Sequence, residues 1–167
     1  MIHVCSLDLI ANSIQKTGAQ YLVSIINKDM MPETPHNIAP ENHLKLSFND
    51  IAIPTQGFVN AQSSDIEQLI TFLDHWGQQA PILFHCWAGV SRSTAGAYIA
   101  ANHVKGAGAE QELADGLRQA APFASPNRLV ISLADDYLKR DGQMIKAIDN
   151  IGRGSFTHGG KPFQMPL

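Results

Sequence analysis

Five residues separate Cys86 from Arg92, and those five, Trp87, Ala88, Gly89, Val90 and Ser91, carry no charge. A sulfur nucleophile, a run of small residues and a guanidinium at this spacing suit one task, holding a tetrahedral oxyanion against a thiolate. A tight turn aims successive backbone N–H groups at one point, and a helix beginning behind it adds its positive end. Arg92 returns to that point with a planar fork of donors for two oxygens. The same fixed positive partial charge favours the thiolate form of a cysteine. Residues 87–92 therefore read as an anion-binding segment, with Cys86 as the attacking group. An isolated cysteine is more often a buried structural residue, but that alternative gives Gly89 and Arg92 no part. An arginine at a helix start opposes the helix dipole unless an anion is bound.

Such a turn needs a strand in front and a helix behind. The apolar run Ala80 to Phe84 supplies the first, and the Ala-rich pattern from Thr94 to Val104 supplies the second. Upstream, Met1 to Ser6 is a short apolar run that can form a first strand. Leu9, Ile10 and Ile14 recur at helical spacing from Leu7 to Lys16, closed by Thr17-Gly18. Tyr21 to Ile26 reads as a strand covered on both faces, and His43 to Phe48 as a strand ending before Asn49-Asp50.

Ser64-Asp65-Ile66-Glu67 reads as a capping box for a helix whose buried face is Ile66, Leu69, Ile70, Leu73 and Trp76. Glu110 to Ala120 reads as a helix despite Gly116. Ser125-Pro126 opens another, with Ser125 as cap, Pro126 at the first helical position and an inner stripe of Val130, Leu133, Ala134 and Tyr137. The alternation implies an α/β fold, a central mainly parallel sheet of about four to five strands flanked by helices. The cysteine turn then sits at the carboxyl end of a strand, where open α/β sheets place ligands. Residues 1–150 form one domain. Residues 151–167, with scattered Gly and Pro and no periodicity, read as an arm or flexible tail.

A chain of 167 residues can bury a core without metals or disulfides. A net charge of −3 gives no general reason to bind nucleic acid or an anionic membrane. No apolar stretch approaches the roughly 18 residues of a membrane span, and there is no leader pattern, so the expectation is a cytoplasmic protein. Cys5 and Cys86 lie far apart and form no metal pattern, and the seven histidines are scattered, so no metal or other cofactor is expected.

The segment His85-Cys86 through Arg92-Ser93, and in particular Ala88-Gly89-Val90-Ser91-Arg92-Ser93, resembles the signature loop of the cysteine-dependent protein tyrosine phosphatases, most closely the dual-specificity branch. The likeness of architecture runs from the first strand to the helix near Asn127, and the tail lies outside it. The resemblance implies a phosphotyrosine phosphatase-like fold and hydrolysis of a phosphomonoester through a phosphocysteine on Cys86. Arg92 would hold the phosphoryl group, and Ser93 would stabilise the departing thiolate or simply cap the helix. His85 would fix the loop by hydrogen bonds. Asn127 would brace the loop or be a plain first-turn residue.

The family draws its general acid from a loop aspartate well before the cysteine. Asp50, 36 positions before Cys86 and just past a strand end, is favoured. Asp65 competes, although the dipole of its helix already explains a carboxylate there, and Asp74 is weaker. Cys5 could resolve an oxidised Cys86 but suits a core position better. Trp87 can face out beside the pocket. Family members acting on phosphoinositides often carry lysines in the loop. The uncharged loop here points instead to a phosphorylated protein or a small phosphomonoester. Two rivals stay open: a phosphoprotein-binding module with weak turnover, and a rhodanese-like sulfurtransferase. The mid-chain His-Cys with Arg-Ser following speaks against the second.

Overall fold

The computed structural model describes all 167 residues. The chain alternates as expected: strand β1 (Ile2–Ser6), helix α1 (Ile10–Thr17), β2 (Tyr21–Ile25), β3 (His43–Leu46), α2 (Ser63–Trp76), β4 (Ile82–Cys86) and α3 (Arg92–Lys105). Three helices follow, α4 (Glu110–Ala120), α5 (Arg128–Tyr137) and α6 (Gln143–Ile151), and then a last strand, β5 (Phe163–Met165). The five strands lie in the order β3-β2-β4-β1-β5. The first four are parallel, and β5 runs antiparallel along β1.

Side chains on a strand alternate between the two sheet faces, and here each face is covered. Ile2, Val4, Val23, Ile25, Ile82 and Phe84 point into the larger core beneath α2 to α6. Cys5, Leu22 and Leu83 point the other way, against Ile10 and Ile14 of α1 and Ile38 of the loop before β3. The central β4 is buried along its whole length. Helix α3 is buried from Arg92 through Asn102, where Ala95, Gly96, Ala97, Ala100 and Ala101 let it approach the sheet closely. At its far end α2 buries Trp76, whose indole N–H donates to Ala80 O at 2.7 Å. Burying a side chain of that size is worth about 3 kcal/mol.

Several boundaries differ from the sequence expectation. Strand β4 starts two residues later than Ala80 and extends through Cys86, because Pro81 has no N–H and its carbonyl instead receives Gln20 N at 3.0 Å. Strand β3 stops at Leu46 rather than Phe48, and the Phe48 carbonyl is taken by Arg92. Leu7–Leu9 is a tighter 3₁₀ turn, and α1 begins only at Ile10. The capping box of α2 sits two residues earlier than Ser64: Gln62 is the cap, and Asp65 is the carboxylate that receives the Gln62 N–H at 2.7 Å. Ser125 does not cap α5. Asn127 does, accepting Val130 N at 3.1 Å, so Pro126 lies outside the helix. Tyr137, expected inside, is 42% exposed, and Ile131 and Asp135 are buried in its stead.

The arm after Ile151 is not a free end. Arg118 of α4 donates to Pro122 O, Ala124 O and Gly152 O at 2.7, 2.9 and 2.8 Å, tying the start of the arm to the loop before α5. The chain then crosses the back of the cysteine turn and closes the sheet as β5. Helix α6, which launches the arm, gives no cap signal of its own. Gly142 occupies its N-cap with φ +80°, and the carboxylate of Asp135, buried in α5, receives Gly142 N at 2.6 Å and Met144 N at 2.7 Å. No helix is long and apolar enough to cross a membrane.

Candidate active site

Strand β4 delivers Cys86 to the carboxyl edge of the sheet, residues 87–91 turn, and α3 starts at Arg92. Gly89 makes the turn possible. Its φ is +71°, and a Cβ there would lie 2.8 Å from the carbonyl carbon of Cys5 and 2.9 Å from Ser6 N, backbone that cannot move aside. The carbonyls of the turn face outward. Trp87 O receives Leu7 N at 3.2 Å, Ala88 O receives Gly160 N at 2.7 Å and Val90 O receives Ser125 N at 3.0 Å. Its N–H groups have no such partners. From Trp87 through Thr94, no backbone N–H donates to any acceptor in the protein. A row of that length without protein acceptors leaves its donors to water or to a bound anion. It matches the arrangement of an anion nest at a helix N-terminus.

Cys86 lies at the floor of a cleft of about 500 Å³, 2% exposed, with Sγ 3.1 Å from Ser93 Oγ. Arg92 is 4% exposed. Its Nη1 donates to Asn27 Oδ1 and to Phe48 O, both at 2.7 Å, which fixes the plane of the guanidinium, while Nε has no hydrogen-bond partner. Asp50 stands over the turn: Oδ1 accepts from Ser91 Oγ at 2.7 Å and from Asn127 Nδ2 at 2.8 Å, and Oδ2 is 3.8 Å from Arg92 Nε. Asn127 thus caps α5 with its oxygen and holds Asp50 and Ile51 O with its amide nitrogen. Asp65 is engaged at the start of α2 and Asp74 with His103, and neither lines the cleft.

Behind the turn lies a chain of buried polar groups. His85 Nδ1 is 3.4 Å from Cys86 O, and its Nε2 is 2.5 Å from Ser24 Oγ. Ser24 Oγ is also 2.7 Å from His43 Nε2, and His43 Nδ1 is 2.8 Å from Thr34 Oγ1. Burial pushes the pKa of each ring down to about 4, so both are neutral at pH 7. A neutral imidazole has one donor and one acceptor. If His85 Nδ1–H donates to the Cys86 carbonyl, the remaining directions follow: Ser24 donates to His85, His43 donates to Ser24, and Thr34 donates to His43. Every dipole then points its positive end towards Cys86.

Cys5 pairs in register with His85, so its side chain faces α1 while that of Cys86 faces α3. Burial pushes its thiol up to about 12. It is a core residue on the opposite face of the sheet from Cys86. Trp87 is 57% exposed at the mouth of the cleft. No group of three or more His, Cys, Asp or Glu is arranged to hold a metal ion.

Of the residues singled out in the sequence, Asp50, Cys86, Trp87, Ala88, Val90, Ser91 and Arg92 line one cleft. Ser93, His85 and Asn127 touch them from behind, and Gly89 shapes the turn. Asn27, Ser24, His43 and Thr157 were not anticipated. Asn27 follows the end of β2, and that position at the carboxyl edge of the sheet was the one available signal. Thr157 reaches the cleft from the arm.

No family model matches the chain, and no curated protein matches it in sequence. Solved structures do match, and they define the fold as that of the dual-specificity phosphatases. The chain is similar to DUSP15, with 16% identity, 90% of this chain and 89% of that chain covered and a TM-score of 0.62. It is similar to human DUSP28, with 17% identity, coverage of 83% and 91% and a TM-score of 0.60. PTPMT1, solved in complex with PI(5)P, aligns at 12% identity, coverage of 88% and 94% and a TM-score of 0.61.

Proposed function

We propose that the protein is a cysteine-dependent phosphomonoesterase. The observation that carries this reading is the unbroken row of N–H groups from Trp87 to Thr94 without protein acceptors, wrapped around one buried sulfur and one fixed guanidinium. A dianionic phosphate supplies what those donors lack. In the first step the Cys86 thiolate attacks phosphorus, a P–S bond forms and the P–O ester bond breaks. Asp50, as the acid, passes its proton to the leaving oxygen. In the second step water attacks phosphorus and gives a proton back to Asp50, and the P–S bond breaks. Ser93 Oγ, beside the sulfur, donates to the departing thiolate. Arg92 and the turn bind the three equatorial oxygens throughout. The His85 chain holds the turn at the Cys86 carbonyl from behind.

The lining of the cleft supports a simple monoester. Arg92 is the one cation among its fourteen residues, so the cleft holds no second cation for the remaining phosphate of a phosphoinositide of the kind bound to PTPMT1. The test is hydrolysis of p-nitrophenyl phosphate without added metal, inhibited by vanadate. Cys86→Ser should abolish turnover and keep phosphate affinity, and full activity in that variant would overturn the mechanism.

A second reading has one observation in its favour. Asp50 accepts two hydrogen bonds and has Arg92 close by, so its carboxyl oxygens are already engaged within the protein. A phosphoprotein-binding module would keep the cradle and dispense with the acid. Asp50→Ala separates the two: a slower turnover of a substrate with a poor leaving group, at unchanged affinity, supports the enzyme. An unchanged rate takes the acid role away from Asp50, and phosphate binding without turnover in the intact protein supports the module.

A further inference from the structure

Asp50 and Ser91 line the cleft, and the same two residues line a second pocket of about 550 Å³. Two guanidiniums belong to this second pocket, those of Arg128 at the start of α5 and Arg153 at the start of the arm. Both are set in place. Arg128 donates to both carboxylate oxygens of Asp149, Nη2 to Oδ2 at 3.0 Å and Nη1 to Oδ1. Arg153 is held through its neighbours in the chain. Gly152 O receives Arg118 Nη2 at 2.8 Å, Gly154 N donates to Ser125 Oγ at 3.1 Å, and Gly154 lies so close to Phe123 O that a Cβ has no room there. The Arg153 side chain leaves the backbone between those two fixed points, is exposed and makes no ion pair.

The acceptors of this pocket are engaged and its donors are not. Asp50 already receives Ser91 and Asn127, and Asp149 receives Arg128. Ser125 Oγ accepts Gly154 N and gives its own hydrogen to no protein acceptor. What remains is the fork of Arg153 and the hydroxyl of Ser125, and an anionic oxygen group is the complement of that set. Resting on the phosphatase reading, we propose that this pocket is a second anion subsite. The substrate carries, besides the scissile phosphate, a carboxylate or a second phosphate that docks on Arg153 across the wall formed by Asp50 and Ser91. The cleft itself still receives a monoester, because its one cation serves the first anion. A fixed cation and a fixed hydroxyl bind the second group without first having to be ordered.

The test uses phosphotyrosyl peptides of equal length in which Gln, Glu or phosphoserine is moved stepwise along either side of the phosphotyrosine, and a hexose bisphosphate beside its monophosphate. At the best position the anionic group should raise kcat/KM about tenfold, through KM, as one charge-assisted pair would. Arg153→Gln should erase that ratio. Lys161→Gln removes a cation on the other flank of the turn, beside Trp87 and Ala88, and should leave the ratio intact. A gain in the peptides alone assigns the anion to a chain segment, a gain in the hexose pair alone to a small bisphosphate, and either supports the subsite. Equal kcat/KM throughout, or a gain that survives Arg153→Gln, overturns it while the phosphatase reading stands. Failure on p-nitrophenyl phosphate sinks that reading instead. Affinities of the same ligands for the Cys86→Ser protein, with and without Arg153→Gln, then still decide the subsite.

Discussion

The cysteine turn and the C-terminal arm touch through one short hydrogen bond, Gly160 N to Ala88 O, yet they reached this contact by different routes. Every group of the turn that faces the cleft comes from one continuous stretch, and its geometry follows from a strand end, a glycine and a helix start. The arm has no such local logic. Its path is set by Arg118, by the strand partner β1 and by glycines that fit against a surface built elsewhere. A site can therefore have its chemistry in one segment and its rigidity in another.

Substituting one glycine in each region measures that division. Gly89→Ala forces a Cβ against Cys5 backbone at 2.8 Å from a positive φ, so the turn itself must shift. Loss of turnover on the order of 100-fold is expected, the effect of misplacing a reacting group by about 1 Å. Gly160→Ala puts a Cβ 2.8 Å from Gly89 O and 2.5 Å from Phe123 Cε2. The ring can give way more easily than a carbonyl, so roughly a tenfold loss in kcat is expected, about 1.4 kcal/mol, with KM nearly unchanged. Steady-state kinetics on both variants checks this. An arm that is merely a cover would leave Gly160→Ala at wild-type activity.

This contrast also explains what could be read before the structure. The order of strands and helices up to α5 and the cleft-facing turn follow from patterns within a few residues of each other, whereas Asp50, 36 positions before Cys86, is singled out through the family resemblance. The supports have no such local pattern. Asn27 holds Arg92 across 65 positions and Asn127 holds Asp50 across 77, and nothing local in an asparagine announces its partner. Helix α6 is capped by a carboxylate seven residues upstream, and β5 is three residues that become a strand only because β1 has a free edge. Long-range contacts chose these structures, against weak local propensity.

The smallest effect on turnover at neutral pH should come from Ser24, and it separates the turn from its support most finely. Ser24→Ala removes the hydroxyl shared by His85 and His43 without touching the cleft. A drop of about fivefold in activity is expected, since a hydrogen bond of this kind contributes about 1 kcal/mol, and Ser24→Thr should restore it if the hydroxyl is what matters. The same chain gives the fold an acid limit. Burial lowers both histidines from 6.5 to about 4 and also lowers His3. Below pH 6.5 the unfolded chain takes up protons that the folded one refuses, so unfolding is favoured as pH falls from 6.5 to about 4, and the loss levels off once the folded rings also protonate. Asp65, raised by burial despite its bond from Gln62 N, works in the opposite direction at the acid end of that window. Urea denaturation at a series of pH values should show a plateau of stability above pH 6.5 and a decline of several kcal/mol below it. A flat profile down to pH 4 would mean that the rings accept protons in place, and the single direction assigned to the chain would fail with it.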